Sequence, residues 1–266
     1  MGVWRGGDDP MVRVQMRPTL GGVPCVSADE MRTVDRVTIE DFGVTLIQMM
    51  ENAGRALALV VRALVVPHRT AGAVAVLAGP GGNGGGALAA ARRLHGWGLP
   101  VVALLSEDQA KYRGAPGAQL DAVRRLGIPI IAAGGTPPSK PPALVVDGLV
   151  GYALSGPPRG QTAALIEWTR ELDAPIVALD VPTGIDPTTG EVREPAIRAT
   201  TTVTLALPKS GLAAAAARPF VGAVFLADIG VPPEVYTRPP LNLTFETPFV
   251  RHDLVRLHDP SRDGTE

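Results

Sequence analysis

The sequence predicts an α/β fold in which a mostly parallel sheet is covered by helices. Strand and helix patterns alternate along most of the chain, which is typical of βαβ units. The clearest pattern is residues 73–94, AVAVLAGPGGNGGGALAAARRL, where an apolar strand runs through a glycine loop into an alanine-rich helix. Two amphipathic helices precede this strand, and no later segment reads as a linker to a second core. We therefore expect one domain built around the glycine loop.

The glycine loop, residues 79–86, indicates a site for a phosphate-bearing small molecule. Glycines let a ligand approach the backbone closely, and the free N–H groups at the start of a helix attract anions. Gly79, Gly81 and Gly84 have the G-x-G-x-x-G spacing of dinucleotide-binding loops, and an acidic segment, 106–108, follows the next strand at about the place of a ribose-binding acid. By itself this pattern leaves an ordinary dehydrogenase open.

Composition and charge narrow the class of protein. The chain has 266 residues, 45% of them apolar, which is enough to bury a sizeable core. Its net charge is −1 and its basic residues do not cluster, so neither nucleic acid nor a membrane surface is an expected partner. Cys25 is the single cysteine and is expected to be buried or inert. The first residues lack the apolar segment of a signal peptide, so a cytoplasmic location is expected.

The N-terminal part of the chain divides into an arm and two helices. Residues 1–22 are rich in Gly, Pro and Arg without periodicity, so we predict a flexible arm. Residues 27–30 form a capping box, and apolar positions follow at helical spacing. A second helix is predicted from about 46 to 64. Its polar residues Glu51 and Asn52 could hydrogen-bond beneath the glycine loop, but a solvated face is the favoured interpretation.

Further strands and helices are predicted beyond the glycine loop, again in alternation. The predicted strands are 101–105, 129–131, 143–146, 175–179, 201–205 and 223–226, and the predicted helices are 115–126 and 162–172. The domain is thus expected to span 23–236. Residues 237–266 are rich in proline and polar residues, and we expect a C-terminal tail that packs loosely or is disordered.

Polar residues follow three of the predicted strands. Asn83 follows the first strand, Asp147 follows 143–146, and Asp180 follows the strand that ends at 179. One aspartate at a strand end is more often a turn former or a helix cap. Because the carboxyl ends of parallel strands meet at one edge, the three together indicate a ligand site. With Thr183 they would also offer an all-oxygen set suited to a hard cation.

A series of motifs extends in order from residue 26 to about 233. It reads VSADEMRTVDRVTIEDFG, MENAGRALA, GPGGNGGGALAAAR, VVDGLVGYALSGPPRG, ALDVPTGIDPTTGEV, LALPKSGL and ADIGVPP. The series resembles the NAD(P)H-hydrate epimerase family, whose glycine loop has the form GxGNNGGDG followed by a helix with Leu/Val-Ala-Ala-Arg. The likeness is to the N-terminal epimerase domain without a fused dehydratase domain. It is far more specific than a lone glycine motif.

The resemblance implies a Rossmann-like three-layer sandwich, often a homodimer, that epimerises the R and S forms of NADH or NADPH hydrated at C6. It also implies a potassium ion near the substrate, with ligands at Asn83, Asp147 and Thr183. A carboxyl group in a shielded site can act as acid and base, so Asp180 and Asp147 are the catalytic candidates. The resemblance places substrate contacts at Gly82, Asn83, Gly84, Gly85, Gly86, Gly151, Tyr152, Ala153, Leu154, Ser155, Gly156, Pro157 and Asp180.

Three loop positions depart from the family pattern. Gly82 stands where the family has asparagine, Gly86 where it has aspartate, and Ala87 where it has glycine, whereas Thr183 keeps the hydroxyl of the usual serine. An epimerase is the favoured interpretation. The alternative is a catalytically silent or repurposed member that binds another small ligand or a protein partner. Lys209 is interpreted either as a phosphate contact or as an exposed strand-end lysine.

Overall fold

The computed structural model of the chain describes residues 17–66 and 72–258. Most of the predicted arm therefore lies outside the described residues. Where the arm is described, β1 (Thr19–Leu20) and β2 (Val23–Pro24) form a short antiparallel hairpin. Cys25 follows the hairpin and is fully buried, and burial raises the pKa of its thiol to about 11, so the expected buried cysteine is confirmed. No helix within these ranges is both long and apolar enough to cross a membrane.

Eight strands of the described residues form the central sheet. They are β3 (Val74–Ala78), β4 (Val101–Leu105), β5 (Ile130–Ile131), β6 (Leu144–Gly148), β7 (Ile176–Leu179), β8 (Thr201–Leu205), β9 (Ala223–Ala227) and β10 (Leu254–His258). Their order is β10-β9-β8-β7-β6-β3-β4-β5, and every neighbouring pair is parallel except β9 with β10. The strand order reverses between β3 and β6. Ligands of open α/β sheets bind at such a reversal, beyond the carboxyl ends of the strands.

The helices have the following bounds: α1 (Ala28–Glu40), α2 (Leu46–Val65), α3 (Gly82–Gly96), α4 (Gly114–Arg125), α5 (Gly160–Arg170), and the short α6 (Arg218–Val221) and α7 (Pro233–Thr237). The predicted capping box before α1 is confirmed. The Ser27 hydroxyl accepts a hydrogen bond from the Glu30 N–H, and the Glu30 carboxylate accepts one from the Ser27 N–H. These two bonds fix the start of α1 and therefore the direction of its inner face.

Both faces of the sheet are covered, which gives three layers. In β3, Val74, Val76 and Ala78 belong to the apolar cluster with α2, α3 and α4. Ala75 and Leu77 belong to the cluster on the other face, which includes residues of α5. Burial on both faces explains why the strands read as continuous apolar runs and not as alternating ones. The predicted three-layer α/β sandwich with a mostly parallel sheet is confirmed.

The polar residues of α2 differ in exposure, since Asn52 is exposed, as the favoured interpretation expected, whereas Glu51 is partly buried. Glu51 forms ion pairs with Arg92 and Arg93 of α3. The side-chain amide of Asn52 donates to the main-chain carbonyl of Ile229 at 3.1 Å. These bonds tie α2 to the helix that follows the glycine loop and to the segment that follows β9. Neither side chain hydrogen-bonds to residues 79–86 in the described part of the chain, so the alternative interpretation, hydrogen bonding beneath the glycine loop, is not supported.

The expectation of a loosely packed or disordered C-terminal tail was wrong for the part that the structure describes. β10 pairs with β9 in antiparallel register, with Leu254 opposite Ala227. Before it, Leu241 is buried, and the ring of Phe245 lies 5.4 Å from the ring of Tyr236. The short edge strand was not predicted, because the sequence of this segment is rich in proline. Residues 259–266 lie outside the described residues.

Candidate active site

A cavity of about 290 Å³ lies between the carboxyl edge of the sheet and the first two long helices, α1 and α2. Its helical wall is mostly apolar and its sheet-edge wall is polar. The helical residues are Met31, Asp35, Ile39, Leu46, Met49, Met50 and Ala53, and the sheet-edge residues are Gly82, Asn83, Gly151, Tyr152, Ala153, Leu179, Asp180, Leu205, Lys209 and Ile229. The loops that follow β3 and β6 both reach this cavity. It therefore lies at the reversal of strand order where the fold is expected to bind a ligand.

Two close backbone contacts hold the turn between β3 and α3. A Cβ at Gly79 would lie 2.0 Å from the carbonyl oxygen of Leu149, and a Cβ at Gly84 would lie 1.8 Å from the carbonyl oxygen of Gly79. Only glycine fits at these two positions. The helix begins at Gly82, directly after this tight turn. Asn83, in the first turn of α3, is thereby held against the loop that follows β6.

Asn83 lines the cavity without a hydrogen-bond partner among the described residues. Its side-chain nitrogen Nδ2 is buried and unpaired. A Cβ placed on Gly151 would lie 3.1 Å from Asn83 Oδ1 and 2.8 Å from Asp180 Oδ2, so glycine at 151 lets the amide and the carboxylate converge. A buried polar atom without a partner costs about 1–3 kcal/mol. An unpaired amide on a cavity wall therefore marks a place where a ligand would be stabilised.

Asp147 lies in β6 and is fully buried. Its carboxylate accepts hydrogen bonds from the Thr183 N–H at 2.8 Å, the Thr183 hydroxyl at 2.8 Å and the Leu149 N–H at 3.1 Å. All three donors are neutral. Burial raises the pKa of Asp147 to about 6, although these hydrogen bonds favour the charged form. The site thus holds a buried carboxylate whose charge is balanced only by neutral groups.

Asp180 follows β7 and forms a buried ion pair with Lys209. Asp180 is 2% exposed and Lys209 is 0% exposed. The Lys209 ammonium also donates to the carbonyls of Leu205, at 2.9 Å, and Leu207, at 3.2 Å. The ammonium therefore makes two hydrogen bonds to the main chain and one ion pair. The expectation of an exposed strand-end lysine was therefore wrong, and Lys209 is a component of the cavity wall.

The backbone of Asp180 has an uncommon conformation. Its φ is +70°, which is rare outside glycine. The Asp180 N–H donates to the Val203 carbonyl at 2.7 Å, and its carboxylate accepts the Tyr152 N–H at 2.9 Å. Such strain costs of order 1–3 kcal/mol and clusters at functional sites. Here it directs the carboxylate towards Lys209 and the cavity.

A second carboxylate reaches the cavity from the helical wall. Asp35 of α1 accepts a hydrogen bond from the Tyr152 hydroxyl. Burial raises the pKa of Asp35 and also that of Tyr152. Asp35 was not among the residues predicted from the sequence, although a signal was present. Met31, Asp35 and Ile39 are four residues apart on one face of α1, so a carboxylate stands within an otherwise apolar stripe.

The structure divides the predicted site residues into groups. Six of them line the cavity: Gly82, Asn83, Gly151, Tyr152, Ala153 and Asp180. Three are buried within α3: Gly84, Gly85 and Gly86. The other four lie in the loop outside the cavity lining: Leu154, Ser155, Gly156 and Pro157. Of the predicted potassium ligands, Asp147 and Thr183 are hydrogen-bonded to each other. Asn83 lies on the cavity wall. Of the two acid–base candidates, Asp180 lines the cavity and Asp147 does not.

The fold and the cavity together define an α/β protein with a candidate ligand site at the carboxyl edge of its sheet. Residues 46–211 match the family model described as YjeF-related protein N-terminus. The chain belongs to that family. A crystal structure of yeast ynu0 has the same fold, with a TM-score of 0.74 and 24% identity over 88% of this chain and 100% of that chain.

Two relatives are similar over most of their length, and a third is similar over less than half of its length. An NAD(P)H-hydrate epimerase of Dehalogenimonas lykanthroporepellens is 40% identical over 236 residues, covering 87% of this chain and 92% of that protein. The NAD(P)H-hydrate epimerase of Rhodopirellula baltica is 35% identical over 231 residues, covering 85% and 91%. The bifunctional NAD(P)H-hydrate repair enzyme Nnr of Salinibacter ruber is 36% identical over 81% of this chain, which covers 42% of that protein. The predicted family resemblance is confirmed.

Proposed function

We propose that this chain is an NAD(P)H-hydrate epimerase, an isomerase that interconverts the R and S forms of NADH and NADPH hydrated at C6. Relatives with that name are 40% and 35% identical over most of both chains. Asp180 is the structural observation that supports the proposal. It is a buried carboxylate on the cavity wall, held in place by Lys209 and by the N–H of Tyr152.

The reaction needs an acid–base group at the C6 hydroxyl, and we assign Asp180 to this role. C6 is bonded to the ring nitrogen, so protonation of the hydroxyl lets the C–O bond break and water leave. The nitrogen lone pair stabilises the resulting cation. Water then adds to C6 and gives up a proton to a base. Lys209 supports the cycle because its ammonium stabilises Asp180 each time that the carboxylate is left ionised.

The cavity suits the nicotinamide end of the substrate. Its volume of about 290 Å³ is modest for a dinucleotide, since small-molecule pockets span roughly 300–1,000 Å³. The apolar side chains of Met31, Met49 and Met50 offer a surface against which a ring can pack. The start of α3 lies beside the cavity and can hold a phosphate with its free N–H groups. We infer that the ring enters the cavity and that the phosphates stay near the glycine turn.

A potassium site at Asn83, Asp147 and Thr183 is part of the same proposal. The residues fit a monovalent cation, because they offer one carboxylate, one hydroxyl and one amide oxygen, which is little charge for a divalent ion. The Asp147 carboxylate supports this proposal, because it is fully buried and its three hydrogen-bond donors among the described residues are all neutral. When bound, the ion would supply positive charge beside the substrate loop. A homodimer and a cytoplasmic location stay predictions from the sequence.

The test of Asp180 is the variant Asp180→Asn. Asparagine tolerates a positive φ, whereas alanine would add backbone strain to the loss of the carboxylate. Interconversion of the two hydrates, followed by chromatographic separation of the epimers, should fall about 100-fold or more, the usual contribution of a general acid or base. Full turnover by a folded Asp180→Asn protein would remove Asp180 from the reaction.

Asp173→Asn is the matched control. Asp173 is exposed and precedes β7 at the end opposite to the cavity, so it makes the same change of charge away from the site. This variant should retain wild-type turnover. A wild-type protein that does not interconvert the epimers faster than a blank without protein would contradict the proposed function itself.

The glycine loop favours one alternative, a repurposed member that binds another small ligand. Gly82 lines the cavity without the amide side chain that the family pattern has there. Tight binding of NADH or NADPH without any interconversion of the hydrates would support this alternative over the epimerase. An absorbance change with NAD and an alcohol would instead support a dehydrogenase.

A further inference from the structure

The cavity holds two carboxylates on different walls. Asp180 belongs to the sheet edge and Asp35 to the helical wall. Tyr152 extends from one to the other, because its N–H donates to Asp180 Oδ2 at 2.9 Å and its hydroxyl donates to Asp35. The two carboxylates are therefore separated by about the length of a tyrosine side chain. Both carboxylates line the cavity that a ring would enter.

The surroundings of the Asp35 carboxyl group suit the exchange of protons with a ligand in the cavity. Tyr152 Oη binds its Oδ2, and no other hydrogen bond to this carboxylate is made by the described residues. Its neighbours on the same helical face, Met31 and Ile39, are apolar and line the cavity with it. Burial raises the pKa of Asp35, the Tyr152 hydrogen bond and the positive charge of Lys209 partly oppose this effect, and the negative charge of Asp180 adds to it. A carboxyl group in these surroundings holds a proton more readily than one in water.

We propose that Asp35, together with the Tyr152 hydroxyl, is a second acid–base group that acts on the face of the ring opposite to Asp180. This inference rests on the proposed epimerase function and deepens it. A single carboxylate returns water to the face from which water left, which regenerates the same epimer. Inversion at C6 requires that water be added from the other face. A group on the helical wall supplies the base for that step.

The proposed epimerisation has two half-reactions, loss of water from C6 and addition of water to C6. Asp180 gives its proton to the C6 hydroxyl, the C–O bond breaks with its electron pair on oxygen, and water leaves the ring as the nitrogen forms a double bond to C6. A water molecule on the other side forms a new C–O bond, the nitrogen regains its electron pair, and the released proton goes to Asp35. In the reverse direction, Asp35 is the acid and Asp180 is the base. Exchange with solvent water resets the pair.

The exchange of the C6 hydroxyl oxygen with solvent distinguishes the role of Asp35 from that of Asp180. Each purified epimer is incubated with protein in H₂¹⁸O, and mass spectrometry after chromatographic separation measures both label and configuration. In Asp35→Asn, epimerisation should fall about 100-fold, while one epimer still exchanges its hydroxyl oxygen without inversion, at a rate close to wild type. Asp180→Asn should show the complementary result, with label entering the other epimer. Tyr152→Phe should lower epimerisation in the same direction as Asp35→Asn, because it removes the hydrogen bond to Asp35.

The matched control is Glu40→Gln. Glu40 is exposed at the end of the same helix and pairs with Arg36 at 3.3 Å, so it makes the same charge change outside the cavity, and it should leave exchange and epimerisation unchanged. Wild-type epimerisation by Asp35→Asn would overturn the proposal. So would equal loss of exchange and epimerisation for both epimers, because Asp35 would then be needed in the step assigned to Asp180. Absence of epimerisation in the wild-type protein contradicts the proposed function instead.

Discussion

Asp147 and Asp180 are two buried carboxylates on neighbouring strands whose surroundings differ. Asp147 is bound by three neutral donors, whereas Asp180 pairs with a lysine that is fully buried. Asp147 lies outside the cavity lining and Asp180 is part of it. The chain therefore supplies a positive charge to the carboxylate that faces the cavity. The described residues supply none to Asp147, which is the reason that the proposed potassium site is placed there.

The largest effect is expected from breaking the buried ion pair. Lys209→Met keeps an unbranched apolar side chain but leaves Asp180 buried without a counter-charge. Removal of one partner from a buried pair costs about 3–5 kcal/mol in free energy of unfolding. Urea unfolding with linear extrapolation measures this loss.

The double variant Asp180→Asn/Lys209→Met is the control for that prediction. It removes both charges, so it should recover a large part of the lost stability, even though the Leu205 and Leu207 carbonyls still lose a donor. If the double variant were less stable than Lys209→Met, the contrast between the two carboxylates would not depend on the ion pair.

The variant Gly86→Asp introduces a third buried carboxylate, which has neither a lysine nor neutral hydrogen-bond donors as partners. Gly86→Asp restores the family pattern, but a Cβ there would lie 3.0 Å from Leu179 Cδ2 and 3.6 Å from Ala53 Cβ. We expect a loss of roughly 2 kcal/mol or more in unfolding free energy, because an acid is buried against apolar atoms. Gly82→Asn is the matched change in the same loop. Its Cβ would have only Met50 Cε within 4 Å, at 3.9 Å, so its effect should stay within about 0.5 kcal/mol.

Thermal unfolding compares these two loop variants with the wild-type protein. Equal stabilities for Gly82→Asn and Gly86→Asp would show that α2 and β7 move apart to admit a side chain at position 86. The close packing of α2 on α3 argues against such movement, since a Cβ at Gly54 would lie 2.6 Å from Ala89 Cβ.

The smallest expected effect is potassium binding at Asp147. At ten times its Kd, the ion should stabilise the folded protein by about 1.4 kcal/mol. This corresponds to a rise in Tm of roughly 2–4 °C for a chain of this size. Melting curves in potassium chloride and in choline chloride at equal ionic strength measure the difference.

Two variants test whether Asp147 is responsible. Asp147→Asn should lose the potassium effect, and Thr183→Ser, which keeps the hydroxyl, should retain it. Asp173→Asn changes the same charge on the surface and should behave as wild type. A potassium effect that survives in Asp147→Asn would place the cation elsewhere.

The sheet-edge wall could be predicted from the sequence because its residues follow strands. Asp147 and Asp180 lie at the ends of apolar strands and Asn83 shortly after another, so their position at one edge follows from the fold class. The glycines of the turn are likewise local signals, since their close contacts are made with the backbone. The structure brings Asn83 and Asp180 to the same cavity.

The helical wall could not be predicted in the same way. Asp35 is distant in sequence from Tyr152, and only the packing of α1 over the sheet edge brings them together. Lys209 follows a strand, as many exposed lysines do, and its burial depends on the pairing of Val26 with this segment. Composition also failed for β10, because the strand is stabilised by an edge that belongs to β9. These failures share a cause, which is dependence on partners far away in the chain.

β10 also affects whether a shortened form of the protein is expected to aggregate. Without it, β9 would be the outer strand on that side of the sheet and would present a row of unpaired N–H and C=O groups. Open edges of this kind pair with other chains and promote aggregation. A chain shortened at residue 236, where composition suggests that the domain ends, would keep all the residues of the cavity and still be prone to precipitate. β10 therefore covers the edge of β9 and is itself the outer strand on that side of the described sheet.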